Sequence, residues 1–399
     1  MLSLNESVKS IISLKRNFGT EYVSMTNSVN RILAEDIFAD RDYPPYNRSA
    51  MDGYAVSSED IVSNNYSQFK VITEIYAGDN FNFPVRPGEA IKIMTGAVVP
   101  DLTDIVIKKE DAVTDNGFVS FKSSGFQKYH NIALKGEDVK KGELLIPKYT
   151  QIKHNHLSAF ASIGKTKIKV LTLPKVAIIS TGHEIKPIDA DIADYQIRDS
   201  NSYTIAGFLN SYNIKIVKKK IVADNLKKLK SAIEKMLDAD ILIMSGGVSA
   251  GDADLVPDAL KECGFEEMFH KVKIKPGKPI WFGYYPGGTR AFALPGNPFS
   301  VQAACKIFIE PYLRACFNIP PVEALNVQIS EDKKKKTNFD EYFPVKLKRN
   351  PCMHLQPLSF NGSGDITALL GADGLAHHPA DVPDIKQGTM VQFYPFNNI

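Results

Sequence analysis

Cysteine is scarce: four residues in 399, Cys263, Cys305, Cys316 and Cys352, with no C-x-x-C pair among them. Isolated thiols so far apart exclude a disulfide-stapled secreted fold and a zinc ribbon, and they fit reduced thiols in a cytoplasmic protein. Long apolar runs are missing too. No stretch approaches the ~20 residues that span a bilayer, and Met1-Leu2-Ser3-Leu4-Asn5-Glu6 has none of the features of a signal peptide. An excess of one charge is also absent. With 48 basic and 45 acidic residues the net charge is +3, which argues against nucleic acid as a partner. The lysine runs at 218–220 and 333–336 are therefore expected on solvated surface, with a polyanion site as the lesser alternative. His154-x-His156 and His377-His378 lack acidic or cysteine neighbours at metal-ligand spacing. No Ser-His-Asp set or activated cysteine stands out, so covalent catalysis is not expected.

What remains is a core-forming chain, 44% apolar and 23% charged. Its length implies roughly two to four domains. Residues 1–40 carry apolar positions (Val8, Ile11, Ile12, then Val29, Ile32, Leu33) that suggest helix. Asp42-Tyr43-Pro44-Pro45-Tyr46 then forbids it. Short β-like runs separated by Gly, Pro, Asn and Asp fill 69–147, and 148–173 resumes with a helix and a short strand. From Pro174 the rhythm becomes alternating strand and helix. Strands are expected at 175–180, 214–222, 240–244 and 291–294, with helices between them and a last one reaching about 317. Asp199-Ser200-Asn201 and Asp224 look like helix N-caps, and 273–282 looks like a hairpin. Alternation of this kind gives a mostly parallel sheet covered on both faces. After Ile319-Pro320-Pro321, strands at 327–329, 342–347, 355–357 and 390–394 suggest a small β-barrel. The expected fold class is α/β plus β. Its parts are an N-terminal helical and β-rich region (1–173, the β-rich insert at about 49–147), a central α/β domain (174–318) and a C-terminal barrel (319–399).

The chemistry concentrates where those strands end. Met244-Ser245-Gly246-Gly247-Val248-Ser249-Ala250-Gly251-Asp252-Ala253-Asp254 runs a buried strand into a glycine loop closed by two acids. Glycines allow a phosphorylated ligand to approach backbone N–H groups. Thr181-Gly182-His183-Glu184 and Pro295-Gly296-Asn297-Pro298 end neighbouring strands, and ligands of such sheets bind beyond the strands' carboxyl ends. Lys275-Pro276-Gly277-Lys278-Pro279 sets two ammonium groups three apart on a rigid turn, a clamp for a multiply charged oxyanion. Opposite it stand Glu184, Asp224, Asp252 and Asp254, acids suited to Mg²⁺ beside a phosphate.

Seven ordered motifs carry a resemblance. They are Met51-Asp52-Gly53-Tyr54-Ala55, Met94-Thr95-Gly96-Ala97, Gly136-Glu137-Asp138, Ser180-Thr181-Gly182-His183-Glu184, Ser245-Gly246-Gly247-Val248-Ser249, the lysine clamp, and Leu294-Pro295-Gly296-Asn297-Pro298. Together they resemble the MoeA-type molybdopterin molybdenumtransferases, also found as the C-terminal domain of gephyrin. The resemblance implies an elongated, homodimeric enzyme of molybdenum cofactor biosynthesis. It would take adenylylated molybdopterin and molybdate, need Mg²⁺ and release AMP. Asp52, Thr95 and Asp138 would come from the partner chain. Glu184, Asp224, Ser249 and Asp254 would serve the pterin pyrophosphate and the cation, with Glu184 and Asp254 as metal ligands and Asp52 among the catalytic acids. Gly246, Gly247, Pro279, Asn297 and Ser363 would line the substrate site, and Lys275, Lys278 and Ser300 would hold molybdate. A molybdopterin adenylyltransferase and recipient molybdoenzymes are its implied partners; neither nucleic acid nor membrane is.

One departure stands out. Family members often carry arginines in a C-terminal R-x-E-F-x-R stretch that helps bind molybdate. The matching Phe339-Asp340-Glu341-Tyr342-Phe343-Pro344-Val345 has none, although Gly362-Ser363-Gly364 is kept. Lys346 and Lys348, on one face of the expected strand, are the nearest substitutes. Three other readings compete. A molybdopterin adenylyltransferase or a CinA-like protein would account only for the α/β unit. A non-catalytic scaffold would not need Asp52, Glu184 and Asp254.

Overall fold

A computed structural model describes all residues except 63–65, 81–83, 123–124, 249–254, 336, 351 and 397–399. The chain packs as two compact units: Glu35–Lys148 with His154–Thr166, and the remainder (Met1–Ala34, Tyr149–Lys153, Lys167–Ile399).

The Glu35–Lys148 unit is built on a six-stranded mixed sheet. Its order is Ile105–Lys108, Gly53–Val56, Glu89–Ile93, Phe69–Ile75, Phe118–Phe121 and Ala112–Asp115. Gly53 pairs with both neighbours, and a Cβ there would fall 2.0 Å from the Ile107 carbonyl oxygen.

In the larger unit the central sheet runs Ile216–Val222, Val176–Thr181, Ile241–Ser245, Arg290–Leu294, Trp281–Tyr284 and Glu266–His270. The first four strands are parallel and the last two antiparallel. Strands buried on both faces need apolar side chains at successive positions. Val176 and Ile178 pack on one side with Ile205 and Leu209 of the helix Asn201–Asn210. Ala177 and Ile179 pack on the other with Leu229 and Ile233 of the helix Leu226–Glu234.

Five strands close the barrel in the order Asp340–Lys348, His354–Pro357, Leu325–Ile329, Met390–Pro395 and Gly374–His378, which returns to Asp340–Lys348. The fold class is the expected one, with two local corrections. α-Helix covers only Leu4–Ser13 of the first forty residues, opened by a Ser3–Glu6 capping box, with one short 3-10 turn at Thr26–Ser28. The stretch Thr20–Ser24 is instead a strand on Lys167–Leu171, where Tyr22 and Val23 fit a pleated surface better than a helix. The hairpin-like stretch at 273–282 lies at the tip of the antiparallel pair Glu266–His270 and Trp281–Tyr284, and Ile274–Lys275 within it also pairs in parallel with Asp340 and Glu341 of the barrel. Asn225, not Asp224, caps Leu226–Glu234, accepting from the Lys228 N–H at 3.1 Å.

All four cysteines are free thiols. Burial pushes Cys305 up to about 12 and Cys263 up to about 11, and it raises Cys316 as well. The thiolate is the nucleophile, so a raised pKa means slow alkylation. At pH 8 iodoacetamide is expected to label the exposed Cys352 in the folded chain and the other three only after denaturation, as peptide mass spectrometry would show. Rapid labelling of Cys305 in the folded chain would contradict this packing.

Candidate functional site

Three parallel strands deliver Thr181, Ser245 and Leu294 to the same edge of the sheet, and the loops that follow them enclose a cleft of about 790 Å³. The loops meet backbone to backbone. Gly246, at φ +97°, donates its N–H to the Leu294 carbonyl at 3.1 Å, and a Cβ on it would lie 2.2 Å from the Thr181 carbonyl oxygen. Asn201 ties the loops together, its Nδ2 donating to Ser245 Oγ at 2.9 Å and to the Gly296 carbonyl at 2.7 Å. Its Oδ1 is buried and has no hydrogen-bond partner among the described residues. Buried acceptors are rarely left unsatisfied, so this oxygen marks a place for a ligand donor. Asp199, 3% exposed, accepts from the hydroxyls of Ser180 and Ser202 and fixes the floor of the cleft.

Two acids line one wall. Asp224 accepts from Thr181 Oγ1 at 2.6 Å, and its other oxygen lies 3.4 Å from His183 Nδ1. Glu184 folds back over Gly182, so that a Cβ there would meet both carboxylate oxygens at 2.8 Å. Two carboxylates and a threonine hydroxyl are hard oxygen donors that fit Mg²⁺, which keeps much of its shell for water and substrate oxygens. Among the described residues no cluster of three acids, histidines or cysteines forms a metal cage. Asp254, the second expected metal ligand, lies outside the described residues, as do Asp252 and Ser249.

A second cavity of about 610 Å³ opens between the lysine turn and the barrel. Lys275, Pro276 and Ser363 line it, whereas Pro279, Asn297 and Gly364 line the first cleft. The partition is therefore thin: Asn297 Nδ2 donates to Ser363 Oγ at 2.8 Å, and the Phe299 N–H donates to the Ser363 carbonyl at 3.1 Å. Ser300 is buried in the first turn of the helix Pro298–Ala304. Lys278 is exposed, its Nζ 5.7 Å from the centre of the Phe339 ring. Another cavity, of about 380 Å³, lies elsewhere in this unit. Within it Glu310 accepts from Tyr212 at 2.5 Å and pairs with Lys306 at 2.7 Å, and Arg314 donates to the Pro320 carbonyl at 2.5 Å.

In the other unit Asp52 accepts from the N–H and hydroxyl of Thr95, at 3.0 and 2.8 Å, and pairs with Lys109 at 3.3 Å. The Thr95 hydrogen bonds, with Lys109 adding to them, hold its carboxyl below the usual aspartate range. Asp138 is exposed and donates its N–H to the Tyr43 carbonyl at 3.0 Å.

Three family models match the chain in order: the MoeA N-terminal region (domain I and II) over 2–164, a probable molybdopterin binding domain over 177–315, and the MoeA C-terminal region (domain IV) over 326–396. The chain is 30% identical over 400 residues to the molybdopterin molybdenumtransferase of Staphylococcus aureus (strain N315), covering 98% of this chain and 94% of that protein. It is 29% identical over 401 residues to the Staphylococcus epidermidis (strain ATCC 12228) protein of that name, with the same coverage. Two crystal structures of the moeA protein from Pyrococcus horikoshii superpose with a TM-score of 0.85, at 30% and 26% identity, covering at least 98% of this chain and 99% of theirs.

The chain belongs to the MoeA family.

Membership makes it a transferase of molybdenum cofactor biosynthesis. A protein limited to the α/β unit would leave 2–164 and 326–396 unmatched. Against that family background, sequence reasoning overlooked two residues of the cleft. Asp199 and Asn201 looked like helix caps, and their inward role is visible only once Ser180, Ser245 and Gly296 are adjacent. The lysine run looked like solvated surface, yet Lys333, Lys334 and Lys335 line the second cavity. Lys346 and Lys348, the expected substitutes for the MoeA-family arginines, are not among its lining residues.

Proposed function

We propose that this protein inserts molybdenum from molybdate into adenylylated molybdopterin and releases AMP, acting as a cytoplasmic homodimer. The observation that carries this reading is the pair of cavities that share one wall at Asn297–Ser363, one lined by acids and glycine loops and the other by lysines. Such a pair suits a pyrophosphate with its cation on one side and a tetrahedral dianion on the other.

The Gly246–Gly247 turn lets the pyrophosphate of the substrate approach backbone N–H groups, and Asn201 Oδ1 accepts from a donor on the bound molecule. Glu184 and Asp224, joined by Asp254, would hold Mg²⁺ there. That ion would place positive charge on the pyrophosphate oxygens as the AMP phosphate leaves. Thr181 fixes the Asp224 carboxylate through its hydroxyl, and Asp199 holds the strand ends rigid beneath the reacting bond. Lys275 and Ser363, which line the second cavity, would hold molybdate through charge-assisted hydrogen bonds, and Lys278 and Ser300, which are not among its lining residues, join them only by the family resemblance. In the dimer, Asp52, Thr95 and Asp138 would reach the partner subunit's pterin cleft; the ionised, hydrogen-bonded state of Asp52 supports such a role.

Pure protein incubated with adenylylated molybdopterin, molybdate and Mg²⁺ is expected to release AMP, and to release none without the cation. A mixture of inactive Asp52→Ala and inactive Lys275→Ala chains is expected to recover activity, because each mixed dimer holds one intact site. Absence of AMP under all these conditions would remove the proposed reaction. A dead mixture in which heterodimers form would remove only the shared site.

A further inference from the structure

The stretch that matches the arginine-bearing segment of the family holds no cation here, yet the cavity beside it is not short of positive charge. Lys275, Lys333, Lys334 and Lys335 all line it, with Glu331 and Glu341 as its carboxylates. Their roles differ. Lys335 Nζ donates to the carbonyls of Phe339 and Pro379, so it is committed to the backbone. Lys334 is exposed on a short strand against Asp384. Lys333 alone of the three turns to the same buried carboxylate as Lys275.

That carboxylate is Glu341, 3% exposed and in register with Lys275 across the Ile274–Lys275 pairing. Lys333 Nζ donates to its Oε1 at 3.1 Å. Lys275 Nζ stands 3.6 Å from Oε2, too far for a hydrogen bond, and Oε2 is buried with no hydrogen-bond partner among the described residues. A buried carboxylate is tolerable only beside cations, and one negative charge here draws two ammonium groups together against their own repulsion. The trio keeps one positive charge in excess. Lys333 is steadied further by the face of Phe343, 5.1 Å from its Nζ. Ser363 Oγ already accepts from Asn297, which leaves its hydroxyl proton to donate into the cavity.

We propose that Lys333 completes the oxyanion subsite of this protein, so that Lys275 and Lys333, brought together by Glu341, grip a tetrahedral dianion such as molybdate in place of the family's arginines. This rests on the cavity being the oxyanion site of the reaction proposed above. The substitution comes from a different strand, Lys333–Lys334, rather than from the Asp340–Lys348 strand that lacks the arginines.

The test is calorimetric titration of the full-length protein with molybdate. Lys333→Ala is expected to weaken binding roughly ten- to a hundredfold, the loss of one charge-assisted contact. Lys333→Arg should bind close to the parent, Lys346→Ala should not differ from it, and binding of adenylylated molybdopterin should be unchanged in all three. Because Lys333→Ala leaves Glu341 short of a partner, the double variant Lys333→Ala/Glu341→Gln removes both charges, and it should fold and bind molybdate as weakly. If Lys275→Ala loses molybdate while the Lys333 variants titrate like the parent, the inference falls and the oxyanion cavity stands. If Lys275→Ala also titrates like the parent, or the parent takes up no molybdate, the cavity is not an oxyanion site and both readings fall.

Discussion

Replacing Asp224 by Asn is expected to leave folding intact and to slow AMP release roughly 10²- to 10³-fold, the usual cost of removing one electrostatic contact to a developing charge. The substitution is nearly isosteric. The amide oxygen can still accept from Thr181 Oγ1, which lies 2.6 Å from the present carboxylate oxygen. The side chain is 24% exposed, so the new NH₂ group can find water or turn to His183 without a desolvation penalty. What disappears is the charge. Two carboxylates, Glu184 and Asp224, line the cleft proposed to receive a pyrophosphate, and beside that anion such like charges are tolerable only with a cation between them. Removing one of them weakens that cation's seat while leaving the glycine turn and Asn201 free to bind the pterin. The measurement is single-turnover AMP release across a Mg²⁺ series, with a thermal melt beside it. Parent-like turnover at saturating Mg²⁺ would take Asp224 out of the catalytic set.

Asp224 also shows how far the sequence could be read. Its place before a helix made it look like a cap, because Asp, Ser and Asn at such positions satisfy free N–H groups. The cap belongs to Asn225, one residue on, and that shift leaves Asp224 facing the cleft. The parallel strands were legible because burial on both faces demands continuous apolar runs such as Ile241-Leu242-Ile243-Met244, and the site loops followed from where those runs stop. Less legible were features made by pairing between distant segments. Ile274–Lys275 gave no sign that it adds to the barrel. Gly374–His378, the strand that closes the barrel, has too little β-branched content to stand out, since Gly, Leu and Ala dominate its first half. The lysine run is the sharpest case. Four like charges in a row normally mark solvent, and only the positions of Glu341 and of the Phe339 and Pro379 carbonyls show that Lys333 and Lys335 turn inward. Asn201 is similar: a polar residue after a strand has no visible partner until the next two strands are laid beside it.

The largest structural effect is expected at Gly246. A Cβ there would sit 2.2 Å from the Thr181 carbonyl oxygen, a distance no real Cβ contact reaches, and the φ of +97° is strained for any L side chain. The obstacle is backbone at the end of a fully buried strand, so no rotamer change can relieve it. Gly246→Ala must therefore push its own loop outward. That breaks the 3.1 Å hydrogen bond from its N–H to Leu294 and tilts the turn meant to receive the pyrophosphate. Strain and the lost bond together should cost roughly 3 kcal/mol or more. The neighbouring glycine makes the comparison. Gly247 has a φ of +62°, ordinary left-handed backbone, and its added Cβ would meet the buried Val256 Cγ2 at 2.9 Å, a side-chain methyl rather than the backbone oxygen that Gly246 meets at 2.2 Å. Gly247→Ala should cost roughly 1–2 kcal/mol. A chain of two packed units need not unfold in one step, so the readout should be local. Amide exchange across Ile241–Ser245 should accelerate strongly in Gly246→Ala and only mildly in Gly247→Ala, with pterin binding lost in the first and weakened in the second. Equal exchange in the two variants would mean that the Thr181 carbonyl yields more easily than its place in a buried strand allows.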